Sequence, residues 1–186
     1  MKNNHNQLQK ITMTSLMIAL TCLLTLVIRI PSPTKGYMNL GDSAVLFSGW
    51  LLGPIYGTIA GGIGSALADF LAGYPIYIPG TLIIKALMAF IISLTPYIIV
   101  GNRKKHLRFS FIVSAVVSEI IMVTGYYLYE AVIIGEGFAV AFVGVSGNVM
   151  QGIVGAAGSY FLVEILSHTN FFKLYGVGGF VKGNEE

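Results

Sequence analysis

The sequence predicts an all-α integral membrane protein of six transmembrane helices with both termini in the cytoplasm. Of its 186 residues, 55% are hydrophobic and 23 are Gly, together well above the roughly 45 to 50% of a soluble domain. Only 10% are charged, where about 25% is usual, so a water-exposed surface could not be covered. The same apolar excess excludes disorder. At about 20 residues per span, six spans take about 120 residues. The remainder is too short for a separate soluble domain, and residues 1–186 read as one membrane domain.

The first span is expected at residues 11–30, behind Lys2 and Lys10 and ended by Pro31 and Pro33. It is long for a signal peptide and lacks a small-x-small cleavage site, so it reads as retained. A polar outer loop, PSPTKGYMNLGD, follows. Residues 42–53 are apolar but short, and Gly53-Pro54 breaks them, giving a short or tilted second span. The third span is placed at 55–73, the loop YPIYIPG next, and the fourth span at 81–100. The basic segment GNRKKHLR precedes a fifth span at 109–134. Gly135-Glu136-Gly137 turns the chain into a sixth at 138–166. Merging the second and third spans would give five.

Charge chooses between these counts. With six spans the cytoplasmic side carries Lys2, Lys10, Arg103, Lys104, Lys105, Arg108, Lys173 and Lys182. The outside carries Arg29 and Lys35, and Lys85 lies within a span, which obeys the positive-inside rule. Five spans would put the N-terminus and the basic loop on opposite sides.

Two spans carry ridges of small residues. The third has Ala60, Gly64, Ala68 and Ala72 beside Gly57, Gly61, Ser65, Asp69 and Gly73. The sixth has Gly144, Asn148, Gly152 and Ala156 beside Gly147, Gln151, Gly155 and Ser159. Such ridges allow close backbone approach in lipid. Asp69, Asn148 and Gln151 interrupt them and ask for another explanation.

An ionisable group near the bilayer centre costs at least about 2.5 kcal/mol. The expected topology puts Asp42, Asp69, Lys85 and Glu130 in the outer half, with Asn148 and Gln151 near mid-membrane. Tyr77, Tyr126, Tyr127 and Tyr129 fall at the same outer depth. A pocket with aromatic walls and a few polar anchors suits a small, planar, polar ligand. Structural alternatives stand beside this reading. Asp69 and Lys85 form an ion pair or contact ligand, the tyrosines form an interfacial belt, and Asp42 caps the second span. Glu119 is an outlier at mid-depth.

Other functions are disfavoured. There is no G-x-x-x-x-G-K-[ST], so any ATP use must come from a partner, and no H-E-x-x-H or G-x-S-x-G. Cys22 is the sole cysteine, which leaves no disulfide and no thiolate metal site. His5, His106 and His168 lie in tails or the basic loop. The net charge of +3 sits at loop ends, which gives a nucleic acid no basic face to bind. No enzyme, bound cofactor or metal is expected.

The stretch MNLGDSAVLFSGWLLGPIYGTIAGGIGSALADFLAGYPIYIPGTLIIKALMAF resembles the substrate-binding S components of energy-coupling factor (ECF) vitamin transporters. It is most similar to the hydroxymethylpyrimidine or pyridoxine-type branch. The resemblance implies a multi-pass protein of the bacterial plasma membrane that binds a vitamin from outside. It also implies association with a transmembrane coupling subunit and two ATPases, and release of the vitamin inside by toppling. The family docks through an A-x-x-x-A-like motif on the first helix, matched here by Ser15-x-x-x-Ala19. Its site lies under the loops that correspond to residues 31–41 and 74–80. The candidate ligand or lid residues are therefore Asn148, Gln151, Lys85, Asp69, Tyr77 and Glu130. Two rival functions are a stand-alone proton-coupled transporter using Asp69, Glu119 and Lys85, and a scaffold that binds no solute.

Overall fold

The computed structural model describes residues 2–31, 37–94 and 104–169. Lys35, Arg103, Lys173 and Lys182, and the last part of the expected fourth span, lie outside these residues. The described chain is a helical bundle. Its elements are α1 (Lys2–Val27), strands β1 (Arg29–Pro31) and β2 (Tyr37–Asn39), α2 (Gly41–Ala72), α3 (Ile78–Ser93), α4 (Lys104–Leu128), a π turn (Tyr129–Ile133) and α5 (Phe138–Ser167). Among the described residues five helices are long and apolar enough, by length and composition, to cross a membrane.

Helix α2 covers both the expected second and third spans, and it is not straight. Gly53 has φ 79°, a left-handed value that suits glycine, and Pro54 follows. The chain doubles back there. A side-chain carbon on Gly57 would stand 2.6 Å from the Gly49 Cα, and one on Gly61 would stand 3.1 Å from Val45 Cγ1. Residues eight apart in one straight helix would be separated by about 12 Å, so the two arms lie antiparallel, side by side.

The small-residue ridge of the second arm lets two other helices approach it. A Cβ on Gly64 would meet the Ile18 carbonyl at 2.8 Å, and one on Gly62 would meet the Leu82 carbonyl at 3.0 Å. Helices α1 and α3 thus pack on the doubled α2 at backbone distance. The core between them holds Leu46, Met88, Ile92, Phe111, Met122 and Val163. Phe70, Ile83, Phe109, Phe142 and Phe161 are exposed on the outside, a large burden in water and the natural arrangement against lipid.

Three boundaries differ from expectation. Helix α1 stops at Val27, and residues 29–31 form a strand instead of the last turn of the span. Its partner is antiparallel, with Arg29 opposite Asn39 and Ile30 opposite Met38, so the outer loop is a small hairpin. Helix α3 starts at Ile78, because Pro79 occupies the first turn, where its missing N–H costs nothing. The fifth expected span ends in a π turn that holds Glu130.

Candidate functional site

One end of the bundle gathers the finish of α1, the β hairpin, the start of α2, the end of its second arm, the start of α3 and the π turn. Gly73, at φ 81°, closes that second arm, and Tyr74, Tyr77 and Tyr129 crowd the following loop. Tyr77 lies 6.3 Å from Tyr129 and 6.5 Å from Tyr126, and Tyr74 lies 4.9 Å from Tyr37, between ring centres. The Tyr129 hydroxyl donates to the Ile76 carbonyl at 2.7 Å and holds the loop against the π turn.

Beneath these rings is a polar cavity of about 30 Å³. Asp69, Tyr77, Glu130, Asn148 and Gln151, five of the six residues expected to contact ligand, line it together. The sixth, Lys85, lies below. Tyr37, Asn39, Thr81 and Tyr126 also line it. Of these, only Tyr126 was foreseen at this depth. Tyr37 and Asn39 belong to the loop at 31–41 that the resemblance places over the site, and Asn39 also to the N-L-G-D stretch.

The floor is a buried polar network. Lys85 forms an ion pair with Asp42, and the two side chains are 3% and 0% exposed. Gln151 donates its amide to the other Asp42 oxygen at 2.7 Å. Its carbonyl accepts the Asn39 backbone N–H at 2.9 Å and the Asn39 amide at 3.3 Å. Asn39 in turn accepts from the Gly41 N–H at 2.8 Å. A chain of bonds thus runs from the hairpin through α5 to a charge pair joining α2 and α3. Lys85 also sits 5.3 Å from the Tyr126 ring centre, within cation–π range.

Two expectations are corrected here. The charge partner of Lys85 is Asp42, not Asp69, because the first arm of α2 brings Asp42 to the Lys85 side of the bundle. Asp42 is not an N-cap. It lies inside the first turn of α2, Leu40 holds the cap position, and the Asp42 carboxylate points to Lys85 and Gln151.

Asp69 sits higher, under the hairpin. Tyr37 donates its hydroxyl to Asp69 Oδ1 at 2.7 Å. Burial first, and the adjoining Asp69 charge second, push the Tyr37 phenol well above its ordinary pKa, so it stays a donor. Tyr77 donates to Glu130 at 3.3 Å, and the Thr81 and Tyr126 hydroxyls bond at 2.9 Å. Glu119 lies deeper, 7% exposed, with its carboxylate against Gly152 and Gly155 of α5. Tyr127 turns away, toward Phe138 and Phe142.

Ser15 and Ala19 are both exposed on the outer face of α1. The Ser15 hydroxyl bonds back to the Ile11 carbonyl at 3.1 Å, so its polarity is internally satisfied. At the end of the bundle opposite the cavity, Arg108 bonds Glu164 at 2.8 Å. Among the described residues no cluster of three metal-ligating side chains occurs.

A helical bundle dressed in apolar residues, with a roofed polar cavity at one end, is the architecture of a membrane protein that takes up a small solute. Residues 5–168 match the family model described as ECF-type riboflavin transporter, S component, and the chain belongs to that family, a family of transport subunits and not of enzymes. It is 39% identical over 120 residues, 63% of its length and 75% of the relative's, to an uncharacterized protein of Pyrococcus woesei. It is 28% identical over 166 residues to the thiamine precursor transporter HmpT of Lactococcus lactis subsp. cremoris, covering 88% of this chain and 89% of that one.

Proposed function

We propose that this chain is the solute-capturing subunit of an ATP-driven vitamin importer in a bacterial plasma membrane. It takes a small aromatic vitamin or precursor, of hydroxymethylpyrimidine or pyridoxine type, from outside. It then topples on a transmembrane coupling subunit, driven by two ATPases, and releases the solute inside. Ser15 and Ala19 offer the small, exposed face for that docking. The two arms of α2 count as separate spans in this reading, which makes six and leaves both termini cytoplasmic.

The observation that carries the proposal is the polar cavity under the β hairpin, in a chain of this family. A cavity of about 30 Å³ holds only two or three waters, so the site must widen for any vitamin, and a single ring asks less of it than a flavin. The relative named for a thiamine precursor points the same way.

Purification from native membranes, followed by mass spectrometry of retained small molecules and associated proteins, tests the proposal. A tightly held vitamin with co-purifying ATPases supports it. The second reading, a stand-alone proton-coupled carrier, draws on Glu119 lying close to Asp42 and Lys85. Uptake by the lone protein in liposomes under a pH gradient would establish that reading and overturn the first.

A further inference from the structure

The lining of the cavity is unbalanced in charge. Its ionisable carboxyl groups are Asp69 and Glu130, and among the described residues that line it there is no Lys or Arg. The nearby ammonium of Lys85 is committed to Asp42 beneath the floor. Asp69 is 5% exposed. Its Oδ1 accepts from Tyr37, while its Oδ2 makes no hydrogen bond within 3.5 Å among the described residues. The Thr81 hydroxyl lies alongside and is bonded to Tyr126. A carboxylate has about four lone-pair directions, so Asp69 can keep Tyr37 and still accept two more donors.

A buried carboxylate oxygen without a hydrogen bond is costly, and an N–H donor relieves it. We infer that Asp69 is the specificity determinant of this site and selects nitrogen heterocycles whose exocyclic amine donates an N–H to Oδ2. A ring that presents a carbonyl at the same place is rejected, because two acceptors then face each other. Anionic solutes, phosphorylated vitamins included, meet the same repulsion. The three tyrosines of the cavity, Tyr37, Tyr77 and Tyr126, supply the stacking faces and leave this edge-on choice to Asp69. The inference rests on the vitamin-binding reading above and narrows its substrate class.

The test is a binding series on the whole protein in lipid nanodiscs by isothermal titration calorimetry. The probes are 4-amino-5-hydroxymethyl-2-methylpyrimidine, its 4-oxo analogue, pyridoxine and riboflavin. Wild-type protein should bind the amino compound at least tenfold more tightly than the oxo compound. Asp69→Asn, whose amide can donate to a carbonyl, should shrink that ratio at least fivefold. A wild-type ratio under tenfold, or a smaller change in the variant, overturns the inference. Should Asp69→Asn not fold, as judged by gel filtration, the wild-type ratio decides alone. Binding of pyridoxine or riboflavin without the amino compound overturns the inference and leaves the vitamin-binding reading standing, whereas binding of no probe overturns both.

Discussion

Replacing Lys85 by Met strands the Asp42 carboxylate, which has 0% exposure, in the floor of the site. Its remaining bond is the Gln151 amide at 2.7 Å, and one neutral donor does not replace a charge partner. Removing one member of a buried ion pair costs about 3–5 kcal/mol. At about 2–4 °C per kcal/mol for a chain of this size, the midpoint of thermal unfolding should fall by about 6–20 °C. Asp42→Asn alone should also destabilise, since it leaves the Lys85 ammonium uncompensated. The double variant buries no charge, and Asn can still accept from Gln151, so it should regain most of the loss. Unfolding of purified protein in detergent, followed by near-UV circular dichroism, gives the four corners of the cycle. A coupling of at least about 2 kcal/mol is expected. Additive losses would mean that Lys85 and Asp42 are not partners, and the account of the floor would fail.

Gly64→Leu should prevent folding, because its Cβ position already lies 2.7 Å from Thr21 Cβ and 2.8 Å from the Ile18 carbonyl. Loss of the monomer peak on gel filtration checks this, and a stable monomer would refute the close α1–α2 approach. Gln151→Leu removes both the hairpin tie and an Asp42 partner. It should weaken ligand binding by about 5- to 150-fold, the equivalent of about 1–3 kcal/mol, as read by calorimetry. Asn148→Ala should weaken binding without preventing membrane insertion, and unchanged affinity in both variants would remove these amides from the site. Ser15→Trp or Ala19→Trp should impair transport by the assembled complex and leave ligand affinity intact. Undiminished transport would show that this face of α1 does not dock.

Much of this fold can be read from the chain because lipid makes its demands plain. Apolar length located the described helices, and Gly53-Pro54 marked the reversal inside α2. The cavity followed from topology, since polar residues too costly to face lipid had to converge at one end. The pairing of Asp42 with Lys85 could not be read, because it depends on how far each helix is rotated about its axis. Asp69 and Asp42 stand at similar depth, and sequence distance does not separate them. The hairpin was missed because three-residue strands containing Pro31 and Asn39 carry no alternating pattern. The π turn at Glu130 has no compositional signature at all.

The glycines of α5 show how fine that rotational detail is. Gly152 and Gly155 both border the Glu119 carboxylate, and on the sequence they look equivalent. A Cβ on Gly152 would lie 3.2 Å from Glu119 Cβ and Oε2, and that side chain can turn aside by a few tenths of an ångström. A Cβ on Gly155 would lie 2.6 Å from Asp42 Cβ and 2.7 Å from Glu119 Oε1. Asp42 cannot retreat, since the ion pair and the first turn of α2 hold it. Gly152→Ala should therefore be tolerated, and helix propensity even favours it, whereas Gly155→Ala should cost about 1–3 kcal/mol through overpacking. Thermal unfolding of the two variants side by side checks the contrast. Equal stabilities would mean that Asp42 is free to move, and that the floor of the cavity is less rigid than its hydrogen bonds require.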